Sequence, residues 1–264
     1  MQQRLRVTPL QTRLVWEDPA ANRARFSALF DDLQGKTDLI VLPEMFSTGF
    51  SMAPESCAEA PDGNTQAWLK TEAGRTGAAI CGSIAVLDQG RFMNRFVWAD
   101  PEGNFHHYDK RHLFRMGEES GHYSAGEQRV LIEYRGWRIL PQVCYDLRFP
   151  AWCRNRNDYD LMLCVANWPA PRRNAWRTLL MARAIENQCY VVGVNRVGRD
   201  GNQLDYAGDS LVVDFKGELL ADGVGAEEWQ INQALDAAAL GRFRERFPAW
   251  KDADEFQLLP SASR

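Results

Sequence analysis

Leu39-Ile40-Val41-Leu42-Pro43-Glu44 is an apolar run of four residues, closed by a proline and followed at once by a carboxylate. A run this short and this continuous fits a strand buried on both faces, as in a sheet covered by helices. Pro43 has no N–H to donate and fixes the backbone where the strand ends, so Glu44 is delivered at the rim of the sheet. In open α/β sheets the residues just beyond the carboxyl ends of strands meet the ligand.

On the N-terminal side, residues 4–11 are expected to form a first strand. Asp18, with Pro19 behind it, supplies an N-cap and a first helical position. The helix predicted from there to Gly35 carries Phe26, Leu29, Phe30 and Leu33 on one face. On the C-terminal side a second helix is expected over about 64–74. Strands follow near 78–87, 92–99 and 105–108, with turn residues at Asp88-Gln89-Gly90 and Pro101-Glu102-Gly103-Asn104. A polar, glycine-containing loop spans 115–126, long enough to be functional. Strands at 130–134 and 137–143 turn on Arg135-Gly136, and a buried strand at 161–166 leads to a helix at 172–188 and a strand at 190–195. A hairpin around Lys216-Gly217, a strand at 229–235, a short helix and the aromatic segment Phe247-Pro248-Ala249-Trp250 follow. Strands alternating with helices, interrupted by hairpins, define an α/β class with mixed sheets. With no repeat or linker, residues 1–264 are expected to form a single domain.

Composition narrows the function. The 264 residues are 45% hydrophobic and 25% charged with a net charge of −4, which suits a globular enzyme and not a nucleic-acid binder, since phosphate affinity needs a broad positive face. No stretch approaches the roughly 20 apolar residues that cross a bilayer, and the start lacks the apolar core of a signal peptide; a cytoplasmic location and no membrane partner are expected. Cysteines stand at 57, 81, 144, 153, 164 and 189 without a Cys-x-x-Cys pair, so no zinc framework or disulfide scaffold is expected.

Two further reactive residues sit as Glu44 does. Lys110 follows the strand-like Phe105-His106-His107-Tyr108, and Cys144 follows Trp137-Arg138-Ile139-Leu140-Pro141-Gln142-Val143. An isolated cysteine is most often a buried inert thiol, an isolated lysine a surface residue and an isolated glutamate a cap or solvated carboxylate. Delivered together to one rim, they make a nucleophile, a base and a cation. Backbone N–H groups at the turn after Cys144 can stabilise negative charge. The four histidines, at 106, 107, 112 and 122, all precede Cys144, which rules out a papain-like order.

Val41-Leu42-Pro43-Glu44-Met45-Phe46, Tyr108-Asp109-Lys110-Arg111-His112-Leu113-Phe114 and Cys144-Tyr145-Asp146-Leu147-Arg148-Phe149-Pro150 resemble, in order and separation, the glutamate, lysine and cysteine motifs of the nitrilase superfamily of carbon-nitrogen hydrolases. Asn155-Arg156-Asn157-Asp158-Tyr159-Asp160, Ala166-Asn167-Trp168-Pro169-Ala170-Pro171, Ala182-Arg183-Ala184-Ile185-Glu186-Asn187 and Phe247-Pro248-Ala249-Trp250 resemble its bacterial omega-amidase branch. The resemblance implies a four-layer α-β-β-α sandwich with two mixed β-sheets, and a homodimer with the tail at about 245–264 at the dimer contact. It implies hydrolysis of the terminal amide of 2-oxo dicarboxylic acid monoamides such as 2-oxoglutaramate and 2-oxosuccinamate, without metal or organic cofactor.

By the same resemblance, Glu44 is the base, Cys144 the nucleophile, and Lys110 with the Tyr145 N–H the oxyanion partners, Lys110 also favouring the thiolate. A second glutamate is expected in the loop after Lys110; counting back from Gly126 gives Glu119, with Glu118 adjacent. Many relatives place a glutamate after the proline of the cysteine motif, where this chain has Ala151. Arg148 is a candidate for the substrate carboxylate, because arginine pairs bidentately with carboxylates, or else an ion-pair partner of Asp146. Trp168 is a pocket wall or a core residue. The rival functions are another carbon-nitrogen hydrolase, acting on deaminated glutathione, an N-carbamoyl compound or a nitrile, and a thiol redox sensor with Cys153 or Cys164 as resolving partner.

Overall fold

In the computed structural model, which describes residues 3–258, the chain begins with β1 (Arg4–Gln11), α1 (Pro19–Asp31) and β2 (Leu39–Val41). Helices α2 (Pro54–Cys57) and α3 (Asn64–Thr76) lead to β3 (Ala79–Asp88), β4 (Arg91–Ala99) and β5 (Phe105–Asp109). After the single turn α4 (Glu119–His122) come β6 (Ile132–Tyr134), β7 (Trp137–Val143), α5 (Pro150–Cys153), β8 (Leu161–Ala166), α6 (Arg173–Asn187) and β9 (Tyr190–Asn195). A separate hairpin pairs β10 (Val197–Arg199) with β11 (Asp205–Ala207). The remaining elements are β12 (Leu211–Val213), β13 (Leu219–Asp222), β14 (Trp229–Gln230), β15 (Gln233–Asp236) and α7 (Ala237–Arg246).

Two sheets result. The first runs β14-β1-β2-β3-β4-β5, with β15 also pairing β1; the second runs β13-β12-β9-β8-β7-β6. In each, three parallel strands are flanked by antiparallel ones, β1-β2-β3 in the first and β7-β8-β9 in the second. The apolar run Leu39-Ile40-Val41-Leu42 shows why they stack. Leu39 and Val41 join Trp98, Trp137 and Ile139 in a core shared by both sheets, while Ile40 and Leu42 join Phe26, Phe30 and Leu69 beneath α1 and α3. Trp176, Leu180 and Ala184 of α6 cover the second sheet. The order is helix, sheet, sheet, helix, the expected four-layer sandwich, and each fully buried large apolar side chain contributes about 1.5–3 kcal/mol.

Several boundaries move. Asp18 Oδ1 accepts from the Ala21 N–H at 2.9 Å, as an N-cap should, but α1 stops at Asp31 and not at Gly35. Gly35 sits instead in a turn at φ +69°, which brings Asp38 beside β1, where its N–H donates to the Arg6 carbonyl at 2.9 Å. The expected strand at 229–235 is two short strands, both on β1 and separated by Ile231 and Asn232. The loop at 115–126 holds a 3-10 turn at Arg115–Gly117 and the turn α4. The β10–β11 hairpin was not foreseen, although Asp200-Gly201-Asn202 is turn chemistry. Within the tail, Gln188 Nε2 donates to the Phe247 carbonyl at 2.7 Å; residues 259–264 lie outside the described ones. No helix among the described residues is long and apolar enough to cross a membrane.

Candidate active site

Glu44 leaves β2 with no exposed surface. The next residue, Met45, adopts φ +41°, an unfavourable region for a side-chain-bearing residue, and is held there as its N–H donates to Ser83 Oγ at 2.9 Å. Lys110 leaves β5 equally buried and reaches Glu44 Oε1 at 2.8 Å. Its ammonium also meets Glu119, at 3.0 Å to Oε1 and 2.9 Å to Oε2. Glu119 turns inward because Glu118 before it is left-handed at φ +57°, and the Phe114 N–H donates to Glu119 Oε2 at 2.6 Å. Of the two candidates in this loop it is Glu119 that touches Lys110. Asn94 of β4 ties both carboxylates, its Nδ2 donating to Glu44 Oε1 at 2.8 Å and Glu119 Oε1 at 3.0 Å.

Cys144 comes from the second sheet. It follows β7 at φ +45° and opens a 3-10 turn, Cys144–Arg148. Strain of this kind persists only where the surroundings over-determine it, and Asp146 supplies that restraint. Fully buried, it accepts from Tyr108 Oη at 2.8 Å and the Val143 N–H at 3.1 Å through Oδ2, and from the His112 N–H at 2.9 Å through Oδ1. His112 Nδ1 lies 2.8 Å from the same Oδ1. Asp146 therefore bolts the cysteine turn to the segment that carries Lys110. His112 is engaged there and stacks on Phe149, ring centroids 3.7 Å apart.

Cys144, Tyr145, Arg148, Asn167, Trp168 and Arg172 line one side of a cavity of about 250 Å³, roofed by Asp200 and Tyr206 around the β10–β11 hairpin. Glu44, Lys110 and Glu119 are not among its lining residues, but their charges act on Cys144, and Lys110 Nζ lies 5.3 Å from the ring centre of Phe50, which does line it. Asn167 joins the lining to this cluster, its N–H donating to Glu44 Oε2 at 2.8 Å. Trp168 is both wall and core, since it lines the cavity yet is buried against Trp176. Arg148 makes no ion pair with Asp146; its guanidinium lies over the Trp168 ring at 5.0 Å. Arg172 lies over Phe114 at 5.0 Å.

The charges are arranged by burial and by one another. Burial alone would discharge Lys110, but Glu119 and Glu44 outweigh it and hold the amine well above its ordinary value, so it stays an ammonium. Burial raises Glu119, against the pull of Lys110. Burial, then the charge of Glu44, pushes the Cys144 thiol well above its ordinary value of 9.0. Lys110 does pull the thiol towards the thiolate, as expected of a cation near the sulfur, but burial and the charge of Glu44 outweigh that pull. All six cysteines are free and buried, and Cys153 is pushed up to about 12, by burial first. A redox sensor needs the reverse, an exposed thiol of lowered pKa.

Sequence reasoning brought Glu44, Lys110, Glu119 and Cys144 forward but missed Asn94, Asn167 and Arg172 as site residues, and gave Asp146 only a passing role. Asn167 was within reach of the same argument, because it stands just past the end of β8 as Glu44 does past β2. Asn94 lies mid-strand and carries no local signal.

A buried acid and ammonium acting on a thiol at a strand-end turn, in a four-layer sandwich, is the arrangement of an amide-cleaving hydrolase. The chain belongs to the carbon-nitrogen hydrolase family, whose model matches residues 6–245. Among curated proteins it is similar to the omega-amidase YafV of Escherichia coli K12, 52% identical over 254 residues that cover 96% of this chain and 98% of that one. It is also similar to the 2-oxoglutaramate amidase of Bacillus subtilis 168, 34% identical over 93% of this chain and 96% of that one. Among solved structures, a CN-hydrolase superfamily protein of Xanthomonas campestris with an arsenic adduct in its active site is 50% identical, with a TM-score of 0.94 over 97% of this chain and 99% of that one.

Proposed function

We infer that this protein is an omega-amidase, which hydrolyses the terminal amide of 2-oxo dicarboxylic acid monoamides, such as 2-oxoglutaramate and 2-oxosuccinamate, to the 2-oxo acid and ammonia through a thioester on Cys144. The observation that carries the reading is a buried Glu44–Lys110–Glu119 cluster whose charges act on Cys144, a thiol that lines a cavity. The relatives named omega-amidase and 2-oxoglutaramate amidase supply the substrate class.

In this mechanism Glu44 takes the proton of the Cys144 thiol as sulfur attacks the amide carbon. Lys110 and the Tyr145 N–H stabilise the oxyanion; losing one such donor typically costs about 2.7–4 kcal/mol of barrier. Protonated Glu44 gives its proton to the departing ammonia and then draws one from the water that cleaves the thioester. Glu119 keeps Lys110 charged and in place. Arg148 and Arg172, which line the cavity and neither of which has a carboxylate partner among the described residues, receive the substrate's distal carboxylate.

The chain acts as one cytoplasmic domain without cofactor and works as a homodimer. Support for the dimer comes from Ile185 on α6 and Phe247 in the tail, apolar yet 55% and 60% exposed. The test of function is ammonia release from 2-oxoglutaramate, which Cys144→Ala should abolish without loss of fold. Retained turnover in that variant, or no acyl adduct on Cys144 by mass spectrometry after a denaturing quench, would exclude the thioester route.

A further inference from the structure

Asn167 follows β8 and lines the cavity beside Cys144. Its main-chain N–H holds Glu44 Oε2 at 2.8 Å, and its side-chain Nδ2 donates to the Glu44 carbonyl at 2.6 Å. That second bond fixes the carboxamide, because turning it over would set oxygen against oxygen. Oδ1 is therefore directed away from the Glu44 backbone, and it meets no donor among the described residues although Asn167 is only 4% exposed. Leaving a buried acceptor without a donor is costly, and such atoms in native proteins call for an explanation.

We propose that Asn167 Oδ1 accepts a hydrogen bond from the N–H of the scissile amide and follows that nitrogen as it becomes ammonia, so that the site selects primary amides over esters of the same acid. The inference rests on the amidase reading above. In the acylation step the Cys144 S–H bond breaks and its proton passes to Glu44 as the S–C bond forms. The proton then passes from Glu44 to the substrate nitrogen, the C–N bond breaks, and NH₃ leaves. The nitrogen goes from two hydrogens to three and gains positive charge on the way. A hydrogen bond accepted from it strengthens towards the transition state and so raises kcat. Asn167 is bonded to the proton carrier itself, which places the acceptor next to the point where the nitrogen must be protonated. The leaving oxygen of an ester brings no hydrogen, and a site built for an N–H discriminates against a substrate that lacks one.

The experiment compares kcat/KM for 2-oxoglutaramate with that for the terminal methyl ester of 2-oxoglutarate, both read as 2-oxoglutarate released. The two substrates give the same acyl-enzyme, so only the leaving group differs. In Asn167→Ala both values should fall, because the Nδ2 bond to Glu44 is lost, but the amide should fall about tenfold further than the ester. Asn167→Ser, which also removes the carboxamide oxygen, should show the same bias and serves if the alanine variant does not fold. Equal falls for amide and ester would assign the side chain to holding Glu44 alone and overturn the inference. Native protein that turns over the ester and leaves the amide untouched would instead strike the amidase reading, and this inference with it.

Discussion

Glu44 and Lys110 leave the first sheet as charged groups with no exposed surface, whereas the second sheet presents Cys144 and Asn167, which are neutral. The strand ends look alike in sequence, yet they solve different problems. A charge can be taken out of water only where another compensates it and hydrogen bonds fill the remaining sites, and around Glu44 they do: Asn94, Lys110 and the Asn167 N–H occupy its oxygens. The thiol needs no such company because burial keeps it protonated. The charges of one sheet thus act on the uncharged thiol of the other, Glu44 raising it and Lys110 lowering it.

If this contrast is right, removing the cation should hurt most and in a pH-dependent way. Lys110→Met is expected to lose about 3–5 kcal/mol of stability in urea unfolding at pH 7. It leaves Glu119, a carboxyl that burial already raises, without the cation that pulls it the other way. Such a group is tolerated while protonated and becomes costly as pH rises through the unfolded pKa, so the loss should shrink near pH 5. A loss that does not change between pH 5 and 7 would mean that the cluster is not electrostatically coupled. Leu163→Ala, in the fully apolar β8 of the second sheet, is expected to lose about 2–5 kcal/mol through the cavity it leaves, and equally at both pH values.

Smaller effects sharpen the boundary between the sheets. Asp146→Asn keeps the shape but sets an NH₂ against donors that now point at a carboxylate, and should cost about 1–3 kcal/mol; an unchanged unfolding midpoint would show that the bonds to Tyr108 and Val143 are dispensable. The mildest probe leaves the protein unaltered. Alkylation of Cys144 by iodoacetamide should keep rising with pH beyond 9.0, since burial and then Glu44 push the thiol above that value. A plateau near neutrality would mean that Lys110 governs the sulfur after all.

Much of this was legible along the chain. Short, largely apolar strands bounded by proline or turn residues, and reactive side chains set just beyond them, are local patterns, and β1, β7, β8 and β9 begin and end where the pattern put them. The helix and loop ends were less legible, because α1 stops where Asp38 must dock on β1 and not where its apolar period fades. Counting back from Gly126 pointed to Glu119 with Glu118 adjacent, and the left-handed turn at Glu118 is what separates the two in the fold. Asn94 was invisible, since a mid-strand asparagine gains meaning only from the two carboxylates that the fold brings to it.

The sequence by itself determined the class of fold, the family and the acid, amine and thiol, because strand periodicity and the identity of a reactive atom are properties of short segments. Only the tertiary structure decided the protonation of the amine and the thiol, the exclusion of an Arg148–Asp146 pair, and the joining of Glu44 to Asn167 across 123 positions of chain. Each of these depends on burial and on charges within a few ångströms, and neither quantity exists until the two sheets are stacked.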